Sequence, residues 1–118
     1  MDYFRAFESA SISATQTVVN PLLADLDFLL TPTLGLVPMP IEHVPAFLSE
    51  PYGRYIQFVL PVSFARVPAM SIPAGLHDSL PIGVQLVGRP GREWELLNLA
   101  QQLEAMPGFG FRRPPALD

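Results

Sequence analysis

Cysteine and lysine are both absent from the 118 residues, and the seven basic residues are all arginine. Without thiols there are no disulfides, no thiolate nucleophile and no cysteine-ligated metal, and the redox compartment is left open. Without lysine there is no catalytic ammonium, no Schiff base and no phosphate-loop lysine. Eleven acids against seven arginines give a formal charge of −4, a poor balance for holding a nucleic-acid backbone. Charge itself is scarce, at 15% of residues against roughly a quarter in ordinary soluble domains. Long apolar runs are missing as well, because the 14 prolines interrupt every candidate before it could span a bilayer. Met1 to Glu8 has Asp2, Arg5 and Glu8 in place of an apolar stretch and does not read as a secretory signal.

What is present is apolar. Hydrophobic residues make up 49% of the chain and mean hydropathy is +0.30, so a chain this short must either show apolar surface or lie within a larger body. The pattern reads as one partial domain, 1–118, with no linker and no internal repeat. Phe4, Phe7, Ala10 and Ala14 predict a helix over 1–19 in spite of its serines and threonines, and Asn20-Pro21 predicts a stop and a short restart over 21–26. A buried strand is expected at 27–31, a proline-fixed loop from Leu34 to Pro51, and a helix over 52–66 with a kink or a restart at Pro61. Strands at 69–74 and 82–87 flank a turn-rich connector at 75–81, and a helix over 93–106 precedes a surface tail. The class is α/β, in the order α-α-β-α-β-β-α.

Read residue by residue, no motif performs chemistry. His77-Asp78 with Ser63, Ser71 or Ser79 contains the residue types of a nucleophilic triad, but G-x-S-x-G is missing and Asp78-Ser79 is ordinary turn chemistry. Glu42-His43 has no second ligand at metal-binding spacing. Gly83 and Gly88 are followed by Arg89-Pro90, which excludes a phosphate loop and leaves close packing around a strand. Asp27 reads as a strand-start residue first and a general base second, Arg66 as a semi-buried ion-pair partner or a carboxylate anchor, and Trp94 as core or interface. Arg112 and Arg113 read as a solubilising tail.

Four blocks of the sequence are nonetheless specific. Asp27-Phe28-Leu29-Leu30-Thr31-Pro32-Thr33 is similar to D-x-[LI]-[LI]-x-P-T. The run from Phe58 to Gly75, FVLPVSFARVPAMSIPAG, resembles F-T-x-P-x-N-x-x-G-x-P-A-[IM]-S-[VI]-P-A-G. Leu80 to Pro90, LPIGVQLVGRP, matches L-P-[IV]-G-[VL]-Q-[LFI]-[VI]-G-x-x, and Glu95 to Glu104 resembles the helix that follows. These patterns, in this order over 27–106, belong to the amidase signature family, and the chain resembles the carboxyl-terminal portion of its members.

The resemblance implies a part of the family's mixed-sheet α/β fold and hydrolysis or transfer at carbon–nitrogen amide bonds, without a cofactor or metal. It implies a cytoplasmic protein whose partners are an amidase amino-terminal half or further copies of itself, with a small-molecule amide as substrate only in the complete enzyme. Family members use a Ser–cis-Ser–Lys triad and a glycine/serine-rich loop, which lie outside the matched region; with no lysine and no G-G-S-S-G-G loop, this chain alone is expected to be inactive. Phe58, Val59, Val62 and Ser63 are implied to line the acyl-side pocket, with Ser63 in place of the family's asparagine and Arg66 in place of its glycine. The alternative reading is a non-catalytic module, derived from the same fold, that associates with itself.

Overall fold

A computed structural model describes residues 2–111. Its framework is a three-stranded antiparallel sheet built from β1 (Phe28–Pro32), β2 (Ala69–His77) and β3 (Leu80–Gly88), in the spatial order β1-β3-β2. The most apolar strand, β3, is therefore central, and its last four residues, Gln85 to Gly88, are all buried. Prolines also sit within both edge strands, at Pro32 and Pro73. An edge is where a missing backbone N–H is best tolerated.

Alternation along β3 serves two cores. Leu86 packs with Ile72, Leu96 and Ala100 under helix α5 (Glu93–Glu104), supported by Phe28, Met70 and Val84. Val87, on the opposite face, packs with Val19, Leu23, Val62 and Ala65 from the helices that cover that side. The result is a helix–sheet–helix sandwich. It is a shallow one, measuring 50 × 37 × 20 Å with a radius of gyration of 16.2 Å.

The amino-terminal helix does not stop at Asn20-Pro21 as the sequence suggests. Helix α1 (Asp2–Ala14) runs through a π-helical turn, Thr15–Val19, into α2 (Asn20–Leu23) with helical dihedrals at each junction. The Asn20 N–H bonds to the Thr15 carbonyl. Proline lacks an N–H and its ring crowds the carbonyl four residues back, and the wider turn just before Pro21 absorbs that conflict without ending the helix.

The span predicted to be helical over 52–66, kinked or restarted near Pro61, is two helices. Helix α3 (Glu50–Ile56) starts at Ser49, whose hydroxyl accepts from the Tyr52 N–H at 3.3 Å, and α4 (Val59–Ala65) carries Pro61 in its first turn, where a proline needs no partner. The loop at 34–49 holds only a 3-10 turn at Ile41–His43, and it is tied to α3 by Gly35 N–H to the Tyr55 carbonyl, 2.9 Å. A side chain on Gly35 would collide with the Arg54 carbonyl.

Strands β2 and β3 run through most of the stretch expected to be a connector. The bend shrinks to Asp78-Ser79, both at positive φ (48° and 67°). Two such residues are the signature of a two-residue type I′ hairpin, whose twist matches that of the strands. An irregularity between Pro73 and Leu76, with Gly75 at φ 96°, adjusts the register on the way.

Candidate functional site

Helix α4 ends beside the sheet edge, and its end is sealed by α1. Ser11 donates its hydroxyl to the Phe64 carbonyl, and Thr15 Oγ1 lies 3.5 Å from the Ala65 carbonyl. The Ser11 hydroxyl, which weakens α1 as a helix, therefore supplies a carbonyl at the end of α4 with a donor it would otherwise lack, while Thr15 Oγ1 donates back to the Ser11 carbonyl at 2.8 Å. The Phe7 and Phe64 rings meet at 5.2 Å alongside. Arg66 then terminates α4 in the left-handed region, φ 56°, with its N–H on the Ser63 carbonyl. This is the conformation that glycine adopts most readily. Arg66, standing where the resembling pattern has glycine, thus holds a conformation that suits glycine, and its guanidinium lies 5.7 Å from the Phe7 ring centre.

Between α4 and the sheet opens a cleft of about 330 Å³, lined by Val59, Val62, Ser63, Arg66 and Val67 on the helix side and by Thr33, Ala69, Met70, Ser71 and Gln85 on the sheet side. Three of the four pocket residues expected from the sequence, Val59, Val62 and Ser63, are in this wall. Phe58 is not: it stands one residue ahead of α4, and its carbonyl accepts from Gln85 Nε2 at 3.1 Å. A second cleft of about 420 Å³ opens between Thr33–Pro38 and Pro81–Val84. Thr33 and Ser71 border both clefts, and their hydroxyls are joined at 2.6 Å. Gly83 makes that pair possible, because a Cβ there would come within 2.9 Å of Ser71 Oγ and 3.1 Å of Thr33 Oγ1.

Gln85 is the cleft residue that the sequence reading did not single out. It is the one buried polar side chain among the described residues, 5% exposed in an otherwise apolar strand. Its Nε2 donates to Thr31 Oγ1 at 3.2 Å and to the Phe58 carbonyl, linking β1, β3 and the entry to α4. The signal was available in IGVQLV, where a lone amide inside a buried strand must find partners.

The other candidates do not converge. His77 Nε2 stands 3.6 Å from Asp78 Oδ2 at the exposed hairpin tip. Ser71 lies six residues back along β2 and is engaged with Thr33, about 20 Å away at strand rise. Among the described residues no three His, Asp or Glu side chains gather, and Glu42-His43 sits in the exposed 3-10 turn. Asp27 is a surface partner of Arg89, 3.9 Å apart, while Arg89 donates twice to the Leu26 carbonyl. Trp94 is not core, being 79% exposed. Arg92 pairs with Glu95 at 2.6 Å, and this hydrogen bond and charge push the guanidinium pKa upward. Arg112 and Arg113 lie outside the described residues.

Comparison with known proteins bears on this arrangement. The family model described as Amidase matches residues 2–97. A glutamyl-tRNA(Gln) amidotransferase chain from Chloroflexus aggregans is 37% identical over 92 residues, covering 76% of this chain and 18% of that protein. The protein of the same name from Methanosarcina barkeri is 34% identical over 95 residues, covering 79% and 19%. The crystal structure of the Thermotoga maritima protein of that name aligns with a TM-score of 0.70 at 27% identity, over 92% of this chain and 24% of that one. The matched segment is the carboxyl-terminal region of those proteins. This chain spans less than a quarter of the length of each.

Proposed function

Because this chain belongs to the amidase family, we propose that it forms the carboxyl-terminal wall of an enzyme acting on carbon–nitrogen amide bonds. In this reading it supplies three sheet strands and one side of the substrate pocket, and the serine and lysine chemistry is supplied by another part of the enzyme. The observation that carries the reading is the cleft itself. Val59, Val62 and Ser63, in the segment that resembles the family's acyl-side wall, line an open space together with Thr33, Ser71 and Gln85, which supports the reading. A cleft with apolar sides and a few fixed polar groups is what an amide's acyl chain requires. The lining of the cleft brings neither histidine nor lysine to Ser63 or Ser71 to raise its nucleophilicity, in keeping with a binding role for both.

The reading is tested in an enzyme completed with the family's catalytic portion. Ser63 is exposed, so Ser63→Trp fills the cleft without disturbing the core. It is expected to lower kcat/KM for amides with a branched or aromatic acyl group about tenfold or more, and to spare acetamide-sized ones. An equal loss on all substrates, or none, contradicts the assignment of this wall to the acyl pocket.

A second reading, self-association without catalysis, is favoured by the surface. Tyr3, Phe4, Ile41, Phe47, Leu48 and Trp94 are each at least 75% exposed, and surface of this kind is normally covered by something. The two readings differ in what covers it: an amidase catalytic portion in the first, a second copy in the other.

A further inference from the structure

Three of the described arginines have an acidic partner: Arg54 with Glu50, Arg89 with Asp27 and Arg92 with Glu95. Arg66 has none among the described residues and rests against the face of Phe7. It borders the 330 Å³ cleft, and the lining of that cleft contains no acid. The other polar groups there are the hydroxyls of Thr33, Ser63 and Ser71 and the amide of Gln85, whose Nε2 is already engaged with Thr31 and Phe58. On the far side of Arg66 a separate depression holds one acid, Glu8, with Phe4, Phe7, Ser11 and Ile12.

We propose that Arg66 makes this cleft a subsite for a carboxylate, so that the amide substrate carries an acidic group at its acyl end. The inference rests on reading the cleft as an acyl pocket, and it adds the class of acyl group. Its physical basis is sign and geometry. In a chain of net charge −4, Arg66 is the one ionisable residue among those that line the cleft. A guanidinium offers a planar pair of donors matched to a carboxylate. The backbone does not require arginine at this position: a left-handed helix end is met at least as well by glycine, and a non-glycine residue there is mildly strained. The cationic side chain is therefore an addition to the site that the fold does not demand.

The test is an NMR titration of the full chain with two probes of nearly the same shape, succinamate and succinamide, which differ in one carboxylate. Succinamate is expected to bind about fivefold more tightly at low salt, shifting the Arg66 Nε–H and the Val59 and Ser63 amides. The preference is expected to shrink as salt is raised and to vanish in Arg66→Gln, which keeps a side chain of similar length at the same φ. Equal binding of the two probes, no binding of succinamate, or a preference that survives in Arg66→Gln overturns the proposal. The enzyme reading fails separately: a carboxylate preference in the titration, together with no amide hydrolysis by the completed enzyme, contradicts the reading of the cleft as an acyl pocket and leaves the anion subsite standing.

Discussion

Gln85 shows at the scale of single residues how the site is held. Its side-chain amide joins three pieces of chain that are far apart in sequence, Thr31, Gln85 and Phe58, and it fixes where α4 begins relative to the sheet. Replacing it by leucine leaves the Phe58 carbonyl and the Thr31 hydroxyl without that donor in a half-buried setting. Gln85→Leu is therefore expected to destabilise by about 1–3 kcal/mol. Urea unfolding checks this through a lower midpoint with an unchanged slope; an unchanged midpoint would mean that the bonds at Gln85 contribute nothing net. Gly83 and Arg66 make a complementary pair at this scale. Gly83 has no side chain because the Thr33–Ser71 hydroxyls occupy that space, whereas Arg66 keeps the φ of a glycine and adds a cation.

Among the elements, what the sequence disclosed followed from how local the cause was. The β3 strand and the α5 helix were legible because their apolar patterns are strong and the residues that end them, Gly88-Arg89-Pro90-Gly91 and Pro107-Gly108, are local. Val59, Val62 and Ser63 were singled out by a resemblance in consecutive residues, and all three line one cleft beside the sheet. The π-turn before Pro21 was not legible. Asn20-Pro21 reads locally as a break, and only the packing of Val19 and Leu23 on Val62, Ala65 and Val87 keeps the helix going. The hairpin was also understated: Pro73, Gly75 and Pro81 look like loop residues, yet the ladder tolerates them through an edge position and a register shift. Its turn yields a prediction. Asp78 and Ser79 both hold positive φ, a conformation asparagine and glycine adopt more readily, so the double change Asp78→Asn with Ser79→Gly is expected to stabilise by about 0.5–1 kcal/mol. Thermal unfolding of the two proteins decides it, and a lower melting temperature would contradict the I′ assignment.

The whole molecule is too open for its mass. A compact chain of this length has a radius of gyration of about 13.5 Å, against 16.2 Å here. A folded monomer of 13.0 kDa exposes about 6,300 Å², against 8729 Å² here. The excess is as large as a substantial protein–protein interface. The apolar side chains left in water and the unclosed clefts belong to that one shape, and the low charge of the sequence suits surface that something else covers. The most direct test is to express the chain together with the amino-terminal catalytic portion of an amidase-signature enzyme, size the product by light scattering and assay each peak for ammonia release from amides. The account predicts a 1:1 complex that hydrolyses amides while the chain alone does not. A stable homo-oligomer that excludes the catalytic portion and remains inactive would contradict it.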